Sequence, residues 1–220
     1  MTNPPAPAAP AGFFVAFEGG DGAGKSTQIG LLARALQSHG REVVVTREPG
    51  GTELGGSIRS LLLHGGRVSP RAEALLFAAD RAEHVASVVE PSLARGAVVL
   101  SDRYVDSTLA YQGARRELSP ADLEALAVFA TGGRLPDLTV LLDVSPELGR
   151  SRRTDGDDRI EAESDNYHAR VRASFLALAD MNPHRYLVLD AGLSVETLGQ
   201  RVAGCVARRL GLPDRSVAGG

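Results

Sequence analysis

At 220 residues the chain can build one domain with a substantial core and is too short for two of ordinary size. Its composition, 43% apolar and 23% charged, is that of a globule rather than a disordered or membrane chain, and a net charge of −3 lacks the basic excess of a dedicated nucleic-acid binder. The single cysteine, Cys205, excludes an intrachain disulfide and gives no basis for a cysteine-built zinc site or a secreted scaffold.

Residues 1–12 (MTNPPAPAAPAG) are proline-rich and lack the basic start and apolar run of a signal peptide, so they read as a floppy tail ahead of one domain at 13–210. No stretch approaches the ~18 apolar residues of a membrane span, and the expected location is the cytoplasm, with no membrane partner.

The domain opens on an apolar run, Phe13 to Phe17, followed by Glu18 and then Gly19, Gly20, Asp21, Gly22, Ala23, Gly24, Lys25, Ser26 and Thr27. This is G-x-x-x-x-G-K-S between a strand and a helix. The glycines let backbone amides turn around an anion, Lys25 reaches outer phosphates, and the Ser26 hydroxyl suits a magnesium ligand. The helix that follows, about Lys25 to His39, adds its positive end and closes at Gly40. Composition supports the assignment, because Lys25 is the only lysine in a chain with 23 arginines. A compact ammonium fits a phosphate cradle where a planar guanidinium does not.

Further apolar, β-branched runs follow at Glu42 to Thr46, Ala97 to Ser101, Leu138 to Asp143 and Tyr186 to Asp190, with helical stretches between them. Such alternation predicts an α/β fold whose five-stranded parallel sheet is covered by helices on both faces, with ligands at the carboxyl ends of the strands. Residues 46–52 (TREPGGT) form a loop, Glu53 to Leu63 an amphipathic helix carrying Arg59, and Ser69-Pro70 starts a long helix to about Arg95 that Pro91 kinks. Phe77 and Arg81 share a face of it. By spacing alone they read as a core aromatic and a surface charge.

Asp102 at the tip of a buried strand is placed to hold magnesium, with Asp143 as its rival, and Arg103 beside it offers a bidentate phosphate partner. A helix after Ser119-Pro120 and a Gly132-Gly133 turn lead to the segment 147–161, where Arg150, Arg152, Arg153 and Arg159 crowd among Asp155 to Asp158. Arginines on a polar, glycine-containing segment suit a lid that closes over transferring phosphates. The final helix, about Ser194 to Leu210, reads as structural, and residues 211–220 as a flexible tail.

A GTPase needs a lysine in its guanine-reading motif, which a chain with one lysine cannot supply. A switch ATPase and a small-molecule kinase remain. Taken together and in order, residues 18–27, 46–52, Phe77 to Arg81, Asp102 to Tyr104, Ser107 to Gly113, Pro136 to Thr139 and Asp158 to Glu161 resemble the bacterial thymidylate kinase family from the first strand to the last helix. The resemblance implies a three-layer P-loop kinase fold, and transfer of the ATP γ-phosphoryl to dTMP, with magnesium, in a homodimer. It implies that Asp21 meets the sugar 3′-hydroxyl, Phe77 stacks on thymine, Arg81 donates to its O4, and Thr108 and Gln112 approach the base. Ser107 joins this pocket, Tyr111 packs on the deoxyribose, and Arg103, with Arg47 or Arg59, holds the dTMP phosphate. Family members carry the transition-state arginine in the cradle or in the lid. Since the cradle has Ala23 before Gly24, the catalytic cation is expected among Arg150, Arg152 and Arg153, and Arg150 or Arg153 is favoured. Another nucleoside monophosphate kinase is the alternative.

Overall fold

A computed structural model describes residues 11–115, 117–152, 160 and 163–213. In chain order the elements are β1 (Phe13–Glu18), α1 (Lys25–Ser38), β2 (Val43–Arg47), α2 (Glu53–His64), α3 (Pro70–His84), α4 (Glu90–Ala94), β3 (Val98–Asp102), α5 (Val105–Ala114), α6 (Pro120–Thr131), β4 (Leu138–Asp143), α7 (Pro146–Ser151), α8 (Asp165–Met181), β5 (Tyr186–Asp190) and α9 (Val195–Leu210). The strands form one parallel sheet in the order β2-β3-β1-β4-β5.

Strand parity divides the sheet between two helical layers. Val15, Phe17, Val98, Leu100, Leu138 and Val140 face α1 and α9 through Ile29, Leu32, Leu36, Leu198, Val202 and Val206. Phe14, Ala16 and Val99 face the opposite way, onto Val85, Val89, Tyr104 and Ala127. A third cluster joins Leu141 and Tyr186 to α5 and α8 through Tyr111, Tyr167, Val171 and Phe175. Side chains that alternate across a strand and are buried on both faces explain the unbroken apolar runs.

Local chemistry sets the helix starts. Thr52, Ser119, Ser145, Ser164 and Ser194 each accept an N–H of the first turn that follows them, satisfying a donor that the helix cannot. Two elements differ from expectation. The long helix expected from Ser69 to Arg95 is α3 and α4 joined by a π turn, Val85–Val89, which closes with Glu90 N–H on the Val85 carbonyl. Pro91 lies just after that π turn, and the chain stays helical through it rather than breaking there. The sequence reading also passed over α8, although Ser164 caps it and Tyr167, Val171, Phe175 and Ala179 recur every fourth residue on its buried face.

The fold takes in residues that the sequence assigns to the tails. Arg41 donates to the Ala11 carbonyl at 3.0 Å, and Leu212 N–H returns to Ala207 at 2.9 Å. The rest of those tails lies outside the described residues.

Phe175 is 1% exposed and meets Tyr111 edge-on, with ring centroids 6.0 Å apart. Phe175→Ala should cost about 3–5 kcal/mol of stability, read as a lower urea midpoint at unchanged m-value.

Candidate active site

The winding reverses at β1, which carries β3 on one side and β4 on the other. The crevice at the strands' carboxyl ends therefore opens where the loop after β1 meets the loop after β3. Gly19, Gly22 and Gly24 adopt φ of +131°, +77° and +91°. A Cβ on Gly19 would lie 2.3 Å from the Leu142 carbonyl oxygen, and one on Gly22 would lie 2.2 Å from that of Gly149. Glycine is needed here for conformation and for close approach. Lys25 is buried, and its Nζ donates to the Gly19 and Gly20 carbonyls, both at 3.1 Å. Burial, then Arg103, lowers its pKa, against Asp102, Asp21 and Glu18, which favour the ammonium.

Ala23 is 1% exposed and packs into the α1 side of the core. It also lines the crevice beside Lys25, and an alanine there brings no charge to it.

Ser26 Oγ donates to Asp102 Oδ2 at 3.0 Å, joining the start of α1 to the tip of β3. Among the described residues no group of three or more His, Cys, Asp or Glu could hold a metal. Two hard oxygens beside a phosphate cradle instead fit magnesium, which is commonly held by one or two protein oxygens plus phosphate and water. The rival Asp143 is clamped by Arg172 at 2.6 and 2.8 Å and lines a separate small cavity.

Arg103 follows directly and is the one non-glycine residue with positive φ, +69°, among those described. Its Nη2 donates to Asp21 Oδ1 at 2.5 Å, its Nη1 to the Gly19 carbonyl at 3.1 Å, and its guanidinium lies 5.0 Å from the Tyr111 ring centre. Tyr111 Oη reaches the second Asp21 oxygen at 3.3 Å. Burial alone would raise the Asp21 carboxyl, but Arg103 and Lys25 hold it down at about 2. Arg103 correspondingly sits well above the usual arginine range, although burial opposes its charge.

The far side of the crevice is built from α2, α3 and α5. Arg81 is 2% exposed, and donates from Nε to Glu48 at 2.7 Å, from Nη1 to Thr108 at 2.9 Å and from Nη2 to the Tyr104 carbonyl at 3.1 Å. Glu48 also bonds His84 Nδ1 at 2.7 Å, and His84 Nε2 meets Thr46 Oγ1 at 2.7 Å. Arg81, a surface charge by spacing alone and a base contact by the family resemblance, is a buried guanidinium with five N–H groups, of which these bonds use three. Gln112 Nε2 donates to buried Glu73 at 3.0 Å. Arg59 donates to the Pro49 carbonyl at 3.0 Å, while Arg47 at the end of β2 is exposed.

One cavity of about 680 Å³ unites these parts: Asp21 to Gln28 of the cradle, Arg47, Arg59, Asp102 and Arg103, and then Phe77, Arg81, Ser107, Thr108, Tyr111 and Gln112. A family model described as "Thymidylate kinase" matches residues 17–202. Thymidylate kinases of Bifidobacterium longum (strain NCC 2705) and Clavibacter sepedonicus are 53% and 55% identical, covering 85% and 87% of this chain and 93% and 92% of their own lengths. That of Gloeobacter violaceus is 51% identical over 88% of this chain and 93% of its own. The chain belongs to the thymidylate kinase family. It is a phosphotransferase whose acceptor is a phosphate group.

Among the described lid candidates in this kinase, Arg152 rather than Arg150 lines the large cavity, and its Nη1 donates to the Ala191 carbonyl at 2.9 Å. Arg150, one of the two favoured from sequence, is half-exposed, pairs with Asp165 and lines the small cavity behind the cradle. Arg153 and Arg159 lie outside the described residues, as does most of the expected lid. The sequence reading missed Ala191, Leu193, Val195 and Leu198, which bring the β5–α9 connection and the start of α9 into the same cavity. It also missed Glu48, Glu73 and His84 as supports of the acceptor pocket. Glu73 precedes Phe77 and Arg81 at four-residue steps along one face of α3, a pattern that could have flagged it.

Asp21 has a folded pKa below its ordinary value of 3.8, so its stabilising contribution is present above that value and lost as pH falls toward about 2. Asp21→Asn should be less stable by about 2 kcal/mol at pH 7, and the gap should close progressively below about pH 4, as followed by urea denaturation across pH.

Proposed function

We propose that this kinase transfers the γ-phosphoryl group of ATP to the phosphate of dTMP, yielding dTDP and ADP. The observation that carries the reading is the continuity of one cavity from the phosphate cradle to Phe77, Arg81, Thr108 and Gln112. A nucleotide-driven switch has no use for the second half of that space.

Each side chain then has a task that its surroundings support. The α1 N-terminus and Lys25 hold the phosphates of ATP, and Ala191, Leu193 and Val195 offer an apolar wall for its adenine. Ser26 and Asp102 would hold magnesium, which supplies neutralisation of phosphate charge when bound. Phe77 stacks on thymine, Arg81 donates to O4, and Gln112 and Thr108 flank the base edge. Asp21 accepts the sugar 3′-hydroxyl, Tyr111 packs on the deoxyribose, and Ser107 and Arg103, assisted by Arg47 or Arg59, steady the acceptor phosphate. An acceptor phosphate oxygen attacks in line, and the bond to the β-phosphate breaks. The chain contributes orientation and positive charge rather than a covalent intermediate. Arg152 is the lid cation supported by its position in the cavity.

A homodimer and a cytoplasmic location belong to the same proposal. Val128 and Phe129 on α6 are 63% and 87% exposed, and Leu75 on the neighbouring α3 is 53% exposed, a surface of the kind that a second copy covers. Among the described residues no helix is long and apolar enough to cross a membrane. The lid at 147–161, and the tails around a single domain, are proposed on sequence grounds.

With ATP as donor and dTMP, dUMP, UMP, CMP, AMP or GMP as acceptor, dTMP should give the highest kcat/KM. ATP hydrolysis without need of an acceptor would instead indicate a switch. Phe77→Ala should weaken dTMP binding by ~1–3 kcal/mol, measured by calorimetry. Arg152→Ala should lower kcat by about 10³ with little change in dTMP affinity, while Arg150→Ala stays near wild type in a steady-state assay.

A further inference from the structure

Glu18, the last residue of β1, is fully buried and does not line the cavity, yet its carboxylate holds one end of the acceptor pocket. Its Oε1 accepts the amides of Tyr104 at 2.9 Å and Ser107 at 3.2 Å, and its Oε2 accepts the Ser107 hydroxyl at 2.6 Å. These donors open α5, whose own N-cap residue, Tyr104, supplies no capping side chain. A helix start is thus capped from a strand almost ninety positions earlier in the chain.

The same bonds bracket Arg103. Its N–H donates to the Phe17 carbonyl at 2.9 Å, and the next amide donates to Glu18. Ser107 Oγ, held by Glu18, also accepts from Arg103 Nη1 at 3.3 Å. A left-handed backbone is unfavourable for a residue with a Cβ and persists when its surroundings fix it on both sides. We propose that Glu18 is a positioning residue for the acceptor phosphate: by capping α5 from β1 it fixes the direction of Arg103 and Ser107. The inference rests on reading Arg103 as a ligand of that phosphate.

The charged and titratable groups facing Glu18 are Asp106 of α5, Arg103 beside it, Lys25 of α1 and Tyr186 of β5. Asp106 is itself engaged by Arg185 at 2.9 Å and Tyr186 Oη at 2.6 Å. Burial, and then Asp106, raises the Glu18 carboxyl to about 7, against the pull of Ser107, Arg103 and the Tyr104 amide. Only the carboxylate accepts all three donors, so the cap weakens as pH falls through about 7.

The test is the dTMP and ATP dissociation constants of wild type and Glu18→Gln between pH 6 and 8. The dTMP phosphate titrates near pH 6 in both, and cancels in their ratio. At pH 8 the variant should bind dTMP about tenfold more weakly and ATP within about twofold, and the dTMP ratio should shrink toward unity at pH 6. A ratio of one throughout, a ratio independent of pH, or an equal loss for ATP overturns the proposal. Ser107→Ala, measured alongside, covers a failure of the first variant to fold. It removes a bond that favours the ionised form, so the midpoint of its affinity profile should lie above that of wild type, and coincident midpoints overturn the proposal. Arg103→Ala separates this inference from its premise. An unchanged dTMP affinity there removes both, whereas a loss there with none in Glu18→Gln overturns the role of Glu18 alone.

Discussion

The ion pair between Arg103 and Asp21 is the contact on which the site depends. It closes the switch point of the sheet, where the loop after β1 and the loop after β3 diverge toward opposite edges. On one side it anchors the phosphate cradle through Asp21 and the Gly19 carbonyl. On the other it lies against the ring of Tyr111, which lines the far part of the cavity. An acid within an anion-binding loop would repel phosphate if it stood alone. Paired with Arg103 and near Lys25, its charge is compensated, as its depressed pKa records.

The part of the cavity around Arg81 applies the same logic at greater depth. A guanidinium taken out of water is costly unless it is paired and hydrogen-bonded, and Arg81 meets both conditions through Glu48, Thr108 and the Tyr104 carbonyl. Glu48 is in turn shared with His84, which reaches Thr46 at the end of β2. The Arg81 guanidinium is therefore fixed by contacts from the loop after β2, from α5 and from the residue before it. Such preorganisation is what a phosphoryl transfer draws from a protein.

The sheet was legible because its strands are apolar runs of the right length, and the cradle because glycine spacing, one lysine and flanking elements agree. Capping serines and prolines marked several helix starts. Other features depend on partners distant in sequence. Nothing local reveals that Glu18 caps a helix beginning at Val105 or that Glu48 serves Arg81. Arg150 and Arg152 are two positions apart, yet Arg150 in α7 pairs with Asp165 while Arg152, just past the end of that helix, donates to the Ala191 carbonyl. Spacing alone makes Arg81 a surface charge for a similar reason, since its compensating carboxylate lies in the loop after β2.

The central claim is that cradle and acceptor pocket work as one site through Arg103 and Asp21. A double-mutant cycle with Asp21→Asn, Arg103→Ala and their combination, read in kcat/KM for dTMP, tests it most directly. The account predicts strong non-additivity, a coupling on the order of 1–3 kcal/mol, because either single change already breaks the link. Losses that add within about 0.5 kcal/mol would show two independent residues and contradict it.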